Sequence, residues 1–159
     1  MQLFVIRHGI AEEAAVGQDD PSRELTREGR KKLKRIAKGM RALEFSFDRI
    51  LTSPWARAAQ TAAVLARASK LEPIATDLLC QSPRAELLAL IAESGEPTAV
   101  VGHQPWLGEL IAWLAFGDTR HGEQLELKKG SLVWLDGATI PGGMTIRASL
   151  PPKLLGEAG

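Results

Sequence analysis

The sequence predicts an α/β fold, a three-layer α/β/α sandwich around a mostly parallel sheet, with an antiparallel edge strand or hairpin near the C-terminus. Three observations carry this. Two short runs, Leu3-Phe4-Val5-Ile6 and Ala99-Val100-Val101, are apolar without alternation, as suits strands covered on both faces. Helical periodicities fall between the strand candidates, so strands and helices alternate along the chain. Residues 131–149 instead read as two strands joined by a stretch containing Pro141-Gly142-Gly143, the pattern of an edge hairpin.

Taken in order, the strand candidates are residues 2–7, 48–52, 73–76, 98–102, 131–136 and 144–149. The first helix is marked by Leu25, Gly29, Leu33, Ile36, Met40 and Leu43, spaced three or four residues apart, with Thr26 placed to cap it. Ser53-Pro54 reads as the next helix start, a capping hydroxyl followed by proline at the first helical position. The alanine-rich segment it opens, residues 54–68, suits close approach to a sheet. Residues 86–92 and 106–116 supply two more helices, and residues 151–159 read as a loosely ordered tail. With no internal repeat, linker or low-complexity tract, one domain spanning residues 1–159 is expected.

Composition narrows the class of function. An apolar share of 45% with 25% charged residues is that of a soluble globular protein. The single cysteine, Cys80, rules out a disulfide scaffold. Lys and Arg number 20 against 19 Asp and Glu, a net charge of +1, so no nucleic-acid partner is expected. No apolar run approaches the ~20 residues that span a bilayer. The first residues have no basic segment before their apolar run and meet Arg7 too soon for a secretion signal. A cytoplasmic protein with no membrane partner is therefore expected. Eight basic residues lie between Arg27 and Arg41 with Glu28 the only acid among them. A solvated helix face is the ordinary meaning of such a run, and docking of an acidic partner protein is the sharper one.

Ligands of open α/β sheets bind beyond the carboxyl ends of the strands. Arg7-His8-Gly9 follows the first predicted strand, Ser53-Pro54-Trp55-Ala56-Arg57 the second and Gly102-His103-Gln104-Pro105 the fourth. Two arginines and two of the three histidines thus gather at one sheet edge. Guanidinium groups match phosphate oxygens in bidentate fashion, and a helix N-terminus adds free N–H groups and a positive dipole end. Histidine serves as nucleophile, acid or base near neutral pH. Each residue alone has an ordinary structural reading, but together they describe a pocket that binds an anion and can attack it. His121, in a polar stretch, reads as a surface residue. Trp113 reads as core, and Trp55 and Trp106 as lining the pocket mouth.

Competing chemistries fail on the same residues. No metal is expected, because the histidines sit beside arginines that repel a cation. A cysteine phosphatase needs arginine six positions after its cysteine, where this chain has Glu86. The sequence contains no GxxxxGK[ST] loop and no GxSxG elbow.

Arg7-His8-Gly9, Ser53-Pro54 followed by Arg57 and Thr61, and the late Gly102-His103, in that order, resemble the histidine phosphatase superfamily, the phosphoglycerate-mutase-like group with the RHG signature. The short length, Glu12 soon after the RHG, the stretch from Arg23 to Gly29 and Val101-Gly102-His103-Gln104-Pro105 are most similar to the SixA group of phosphohistidine phosphatases. Glu24 departs from that pattern, where relatives often have proline. The resemblance implies a phosphatase that needs no metal or other cofactor. It makes His8 the nucleophile and gives the phosphate oxygens to Arg7, Arg57 and His103. It favours phosphohistidine on a signalling or phosphotransfer protein as substrate, with a small phosphate ester as the alternative. A phosphoprotein-binding module without turnover is a third reading, disfavoured because such a module needs no nucleophile. Larger relatives carry a glutamate as general acid after the second helix. The matching region here offers only Asp77, and Glu12 is the other candidate.

Overall fold

A computed structural model describes residues Met1–Gly159. The elements are β1 (Gln2–Arg7), α1 (Arg27–Ala42), β2 (Arg49–Thr52), α2 (Ala56–Ser69), β3 (Ile74–Ala75), α3 (Ala85–Ala92), β4 (Thr98–Gly102), α4 (Trp106–Phe116), β5 (Leu132–Gly137), β6 (Met144–Leu150) and α5 (Pro152–Ala158). Six strands form one sheet in the order β3-β2-β4-β1-β5-β6. The four N-terminal strands are parallel, whereas β5 runs antiparallel to β1 and β6 antiparallel to β5. The α/β sandwich with its antiparallel edge hairpin is the predicted fold.

The unalternating runs are explained by helices on both faces. Phe4 and Ile6 of β1 join Ile50, Ala99 and Val101 in a core beneath α1, α2 and α5. Leu3 and Val5 point to the opposite face and pack with Leu51, Val100 and the apolar sides of α3 and α4. Each central strand therefore feeds two cores, and its polar residues, Gln2 and Arg7 on β1, Arg49 and Thr52 on β2 and Thr98 on β4, are confined to the strand ends. No helix is long and apolar enough to cross a membrane.

α1 starts as predicted, with Thr26 Oγ1 accepting the Gly29 N–H at 2.8 Å. Its apolar stripe of Leu33, Ile36 and Met40 is buried, and all its basic residues but the half-buried Arg30 are exposed. Among these only Lys32 has an ion-pair partner, Glu28 at 3.0 Å. The helix stops one residue short of Leu43, which is left exposed.

Two other expectations change. α2 begins at Ala56 rather than residue 54, because Ser53 Oγ accepts the Trp55 N–H at 3.1 Å and closes a turn ahead of the helix. Residues 152–158 are not a loose tail but α5, lying along α1 with Leu155 fully buried. Gly39 makes room for it: a Cβ there would collide with the Leu155 carbonyl. Removing the Leu155 side chain leaves a cavity between the two helices. Leu155→Ala is expected to lower stability by about 2–4 kcal/mol, read as a shift of the urea midpoint with unchanged slope.

Candidate active site

Because β4 lies between β1 and β2, the carboxyl ends of these three strands are neighbours. Arg7 pairs with Gly102 and Thr52 with Val101 in register. The ladder continues past the strands: His8 N–H donates to the Gly102 carbonyl at 3.1 Å and Ser53 N–H to that of Val101 at 3.0 Å. Arg7, His8, Arg57 in the first turn of α2 and His103 are thereby brought together, as predicted. The His8 and His103 ring centroids are 5.2 Å apart. Both histidines and Arg57 are almost fully buried.

The protonation of His8 follows from its neighbours. Its Nδ1 lies 2.7 Å from the Gly9 carbonyl, which can only accept, so Nδ1 carries the proton. Its Nε2 is therefore the nitrogen that carries the lone pair, and it accepts from Arg57 Nε at 3.3 Å. Thr61 fixes this geometry from below. Its Oγ1 accepts the Gly9 N–H at 3.0 Å and donates to the Arg57 carbonyl at 2.7 Å, tying the RHG turn to α2.

Arg7 Nη1 donates to the Leu127 carbonyl at 2.6 Å, while its Nε is buried with no partner in the protein. His103 Nε2 is 2.7 Å from Ser53 Oγ, which also meets Cys80 Sγ at 3.2 Å, and His103 Nδ1 has no partner. Two buried ring or guanidine nitrogens are therefore left without a protein partner. Gln104 steadies the His103 turn, its amide bridging the Leu125 carbonyl at 2.9 Å and the Gly108 N–H at 2.8 Å. The Trp55 ring lies tilted 4.8 Å from His103, with Trp106 at its edge 5.7 Å away and the Arg57 guanidinium 5.0 Å from its ring centre. These two tryptophans flank the site, and Trp113 packs into the α4 core.

Burial pushes the pKa of His8 down to about 4, opposed by its hydrogen bond to Gly9 and reinforced by the charges of Arg57, Arg7 and Lys129. Burial likewise pushes His103 down to about 3, with Arg57 the next cause. Burial lowers Arg7 too, countered by Glu126, and raises the Cys80 thiol.

The structure places Glu12 and Asp77 on exposed positions, where neither forms a hydrogen bond or ion pair with the histidines and arginines. His121 is exposed as expected. The carboxylate that does reach the site was missed by sequence reasoning. Asp20 Oδ2 pairs with Arg57 Nη2 at 2.9 Å, and its main-chain carbonyl accepts from Nη1 at the same distance. Partial burial tends to raise the Asp20 pKa, but hydrogen bonds from Arg57 and Arg23 outweigh it and hold the carboxyl below its usual range. Within Gly17–Arg23 nothing in the sequence distinguishes Asp20 from Asp19, so only the fold reveals it. The unusual Glu24 also gains a partner, Gln60 at 2.9 Å, whose other end accepts the Leu25 N–H.

Residues 3–81 match the model of the histidine phosphatase superfamily, branch 1. The phosphohistidine phosphatase SixA of Escherichia coli strain K12 is 32% identical over 126 residues, covering 75% of this chain and 77% of that protein. The chain belongs to the histidine phosphatase superfamily. An uncharacterized protein of Picosynechococcus is 42% identical over 142 residues, 85% of this chain and 84% of the relative. The structure of the protein histidine phosphatase SixA complexed with tungstate superposes with a TM-score of 0.80 at 26% identity, covering 98% and 99% of the two chains. This histidine phosphatase is accordingly an enzyme that acts on a phosphorylated substrate.

The depressed histidines make the phosphatase lose stability in acid. Unfolded, both titrate near 6.5; folded, near 4 and 3, so the unfolded chain takes up protons first as pH falls. Their stabilisation is full above about pH 6.5 and is lost progressively below it, at up to roughly 1.4 kcal/mol per pH unit for each histidine. Urea midpoints measured from pH 7 to pH 5 should fall, less steeply in His103→Gln, and a flat profile for the wild type would contradict the assignment.

Proposed function

We propose that this histidine phosphatase removes the phosphoryl group from phosphohistidine on a signalling or phosphotransfer protein, through a phosphoryl intermediate on His8 and without a metal ion. One observation carries the choice of substrate. The carboxylate bonded into the site, Asp20, is held in its ionised form by Arg57 and Arg23, and so has no proton ready for a departing alkoxide. A phosphoimidazole protonated at its second ring nitrogen leaves as neutral imidazole and asks for no such donor. The phosphohistidine activity named for the 32% identical SixA of Escherichia coli supports the same reading.

In this scheme His8 Nε2, bare at neutral pH, attacks phosphorus while the bond from phosphorus to the substrate nitrogen breaks. Arg7, Arg57 and His103 Nδ1 take the equatorial oxygens, where charge is held in the transition state. The Gly9 carbonyl stabilises the Nδ1–H as His8 becomes positively charged. Water then attacks the phosphohistidine, releasing inorganic phosphate and restoring the His8 lone pair. Two fixed guanidiniums supply the positive charge that many phosphotransferases take from a metal. Glu12 and Asp77 have no part in this scheme.

The test compares a phosphohistidine protein, p-nitrophenyl phosphate and a panel of metabolite esters in the presence of EDTA. Release from the phosphohistidine protein in preference to the others is expected. Hydrolysis of esters alone would overturn the substrate and leave the His8 chemistry standing. His8→Ala should abolish turnover and the acid-quenched trapping of labelled phosphate on protein. Arg57→Gln should lower the rate by about a hundredfold or more.

A further inference from the structure

A cavity of about 320 Å³ opens between α1, α5 and the turn preceding β5. It contains none of Arg7, His8, Arg57 and His103. Its interior is apolar, formed by Ile10, Leu33, Ile36 and Pro152 with the backbone of four glycines. Its rim is cationic: Lys32, Arg35, Lys129 and Lys153 surround it, against Glu157 alone. Lys32 is paired with Glu28 and Lys153 stands 4.0 Å from Glu157, but Arg35 and Lys129 have no acidic partner. The volume is that of a small-ligand site, and such sites combine an apolar lining with a few charged groups that fix orientation. An apolar wall under unpaired positive charge fits neither a bare inorganic ion nor a neutral hydrocarbon. It fits a molecule with both characters.

The cavity also reaches the catalytic backbone. Gly130, on its wall, donates its N–H to the carbonyls of both Arg7 and His8 at 3.1 Å. A Cβ on Gly130 would meet Ile36 at 2.9 Å, and one on Gly9 would meet Leu33 at 2.7 Å. Leu33 and Ile36, which line the cavity, thus pack closely against Gly9, which follows His8, and Gly130, which is bonded to the His8 carbonyl. Lys129, on the rim, is among the charges that disfavour protonation of His8.

We propose that the cavity between α1 and α5 is a regulatory site for a small amphipathic organic anion, an aromatic or aliphatic body carrying a carboxylate, sulfonate or phosphate. The apolar body occupies the space between Leu33, Ile36 and Pro152, and the anionic group faces Arg35 and Lys129. Occupancy acts on hydrolysis through Gly9 and Gly130.

A Cβ on Gly156, which lines the cavity, meets nothing within 4 Å, so a side chain there starts in open space, and Gly156→Leu is the variant expected to occupy the cavity, with better helix propensity. The probe is 8-anilinonaphthalene-1-sulfonate, titrated by fluorescence into wild type, Gly156→Leu and Arg35→Glu, with N-phenyl-1-naphthylamine as its uncharged counterpart. Saturable binding that persists in excess inorganic phosphate is expected, lost in Gly156→Leu and weakened about tenfold in Arg35→Glu and for the uncharged probe. Displacement by phosphate would place the probe in the catalytic site and overturn the proposal, as would undiminished binding to Gly156→Leu. Equal affinity for the uncharged probe would overturn the anionic class. At probe saturation p-nitrophenyl phosphate hydrolysis should change severalfold in wild type and not in Gly156→Leu, and an unchanged wild-type rate would overturn the regulatory role.

Discussion

The insertion of β4 between β1 and β2 is the constraint on which the active site depends. Parallel strands deliver their following turns to the same edge, and the register of β1, β2 and β4 is fixed by side chains that fill two cores at once. A slip of one residue would exchange the two faces of a strand, set side chains against the wrong core and carry His8 or Ser53 away from its partner on β4. The backbone bonds from His8 to Gly102 and from Ser53 to Val101 close that option. Catalytic geometry is therefore a by-product of core packing, and the side chains need few contacts of their own to find one another.

Charge is concentrated in a space where it is costly. Arg57 is buried beside a second arginine and two histidines, and the histidines answer by staying neutral. Asp20 supplies the counter-charge from inside the chain, using both its carboxylate and its carbonyl on one guanidinium. Unpaired burial of such a cation would be strongly destabilising. In the proposed scheme a phosphate dianion would bring the same kind of neutralisation to the rest of the cluster, so that stability and substrate affinity would draw on one electrostatic arrangement.

The parts of this structure legible in the sequence are those set by local pattern. Leu3-Phe4-Val5-Ile6 suits a doubly covered strand, the Thr26 cap is written beside the helix it begins, and the placement of Arg7, Arg57 and His103 follows from strand ends. The parts that were not legible depend on distant partners. Ser53 looks like a helix cap because its hydroxyl is near the right N–H, yet its strongest bond is to His103, 50 positions away. Residues 151–159 have too few apolar side chains to announce a helix, and only Gly39 on α1 creates the slot that Leu155 fills. Asp20 lies in a polar segment whose path across the site is decided by Arg57, Arg23 and the short pairing of Ala11 with Leu25.

The aromatic flank of the site has a spectroscopic consequence. The chain contains four tryptophans and no tyrosine, so its intrinsic emission comes from Trp55, Trp106, Trp113 and Trp134 alone. Two of these stand against His103, and one lies beside the Arg57 guanidinium. A phosphate bound as proposed at Arg57 and His103 would change the charge beside both indoles. In that scheme the tryptophan emission reports occupancy beside His8, with no dye and no engineered residue.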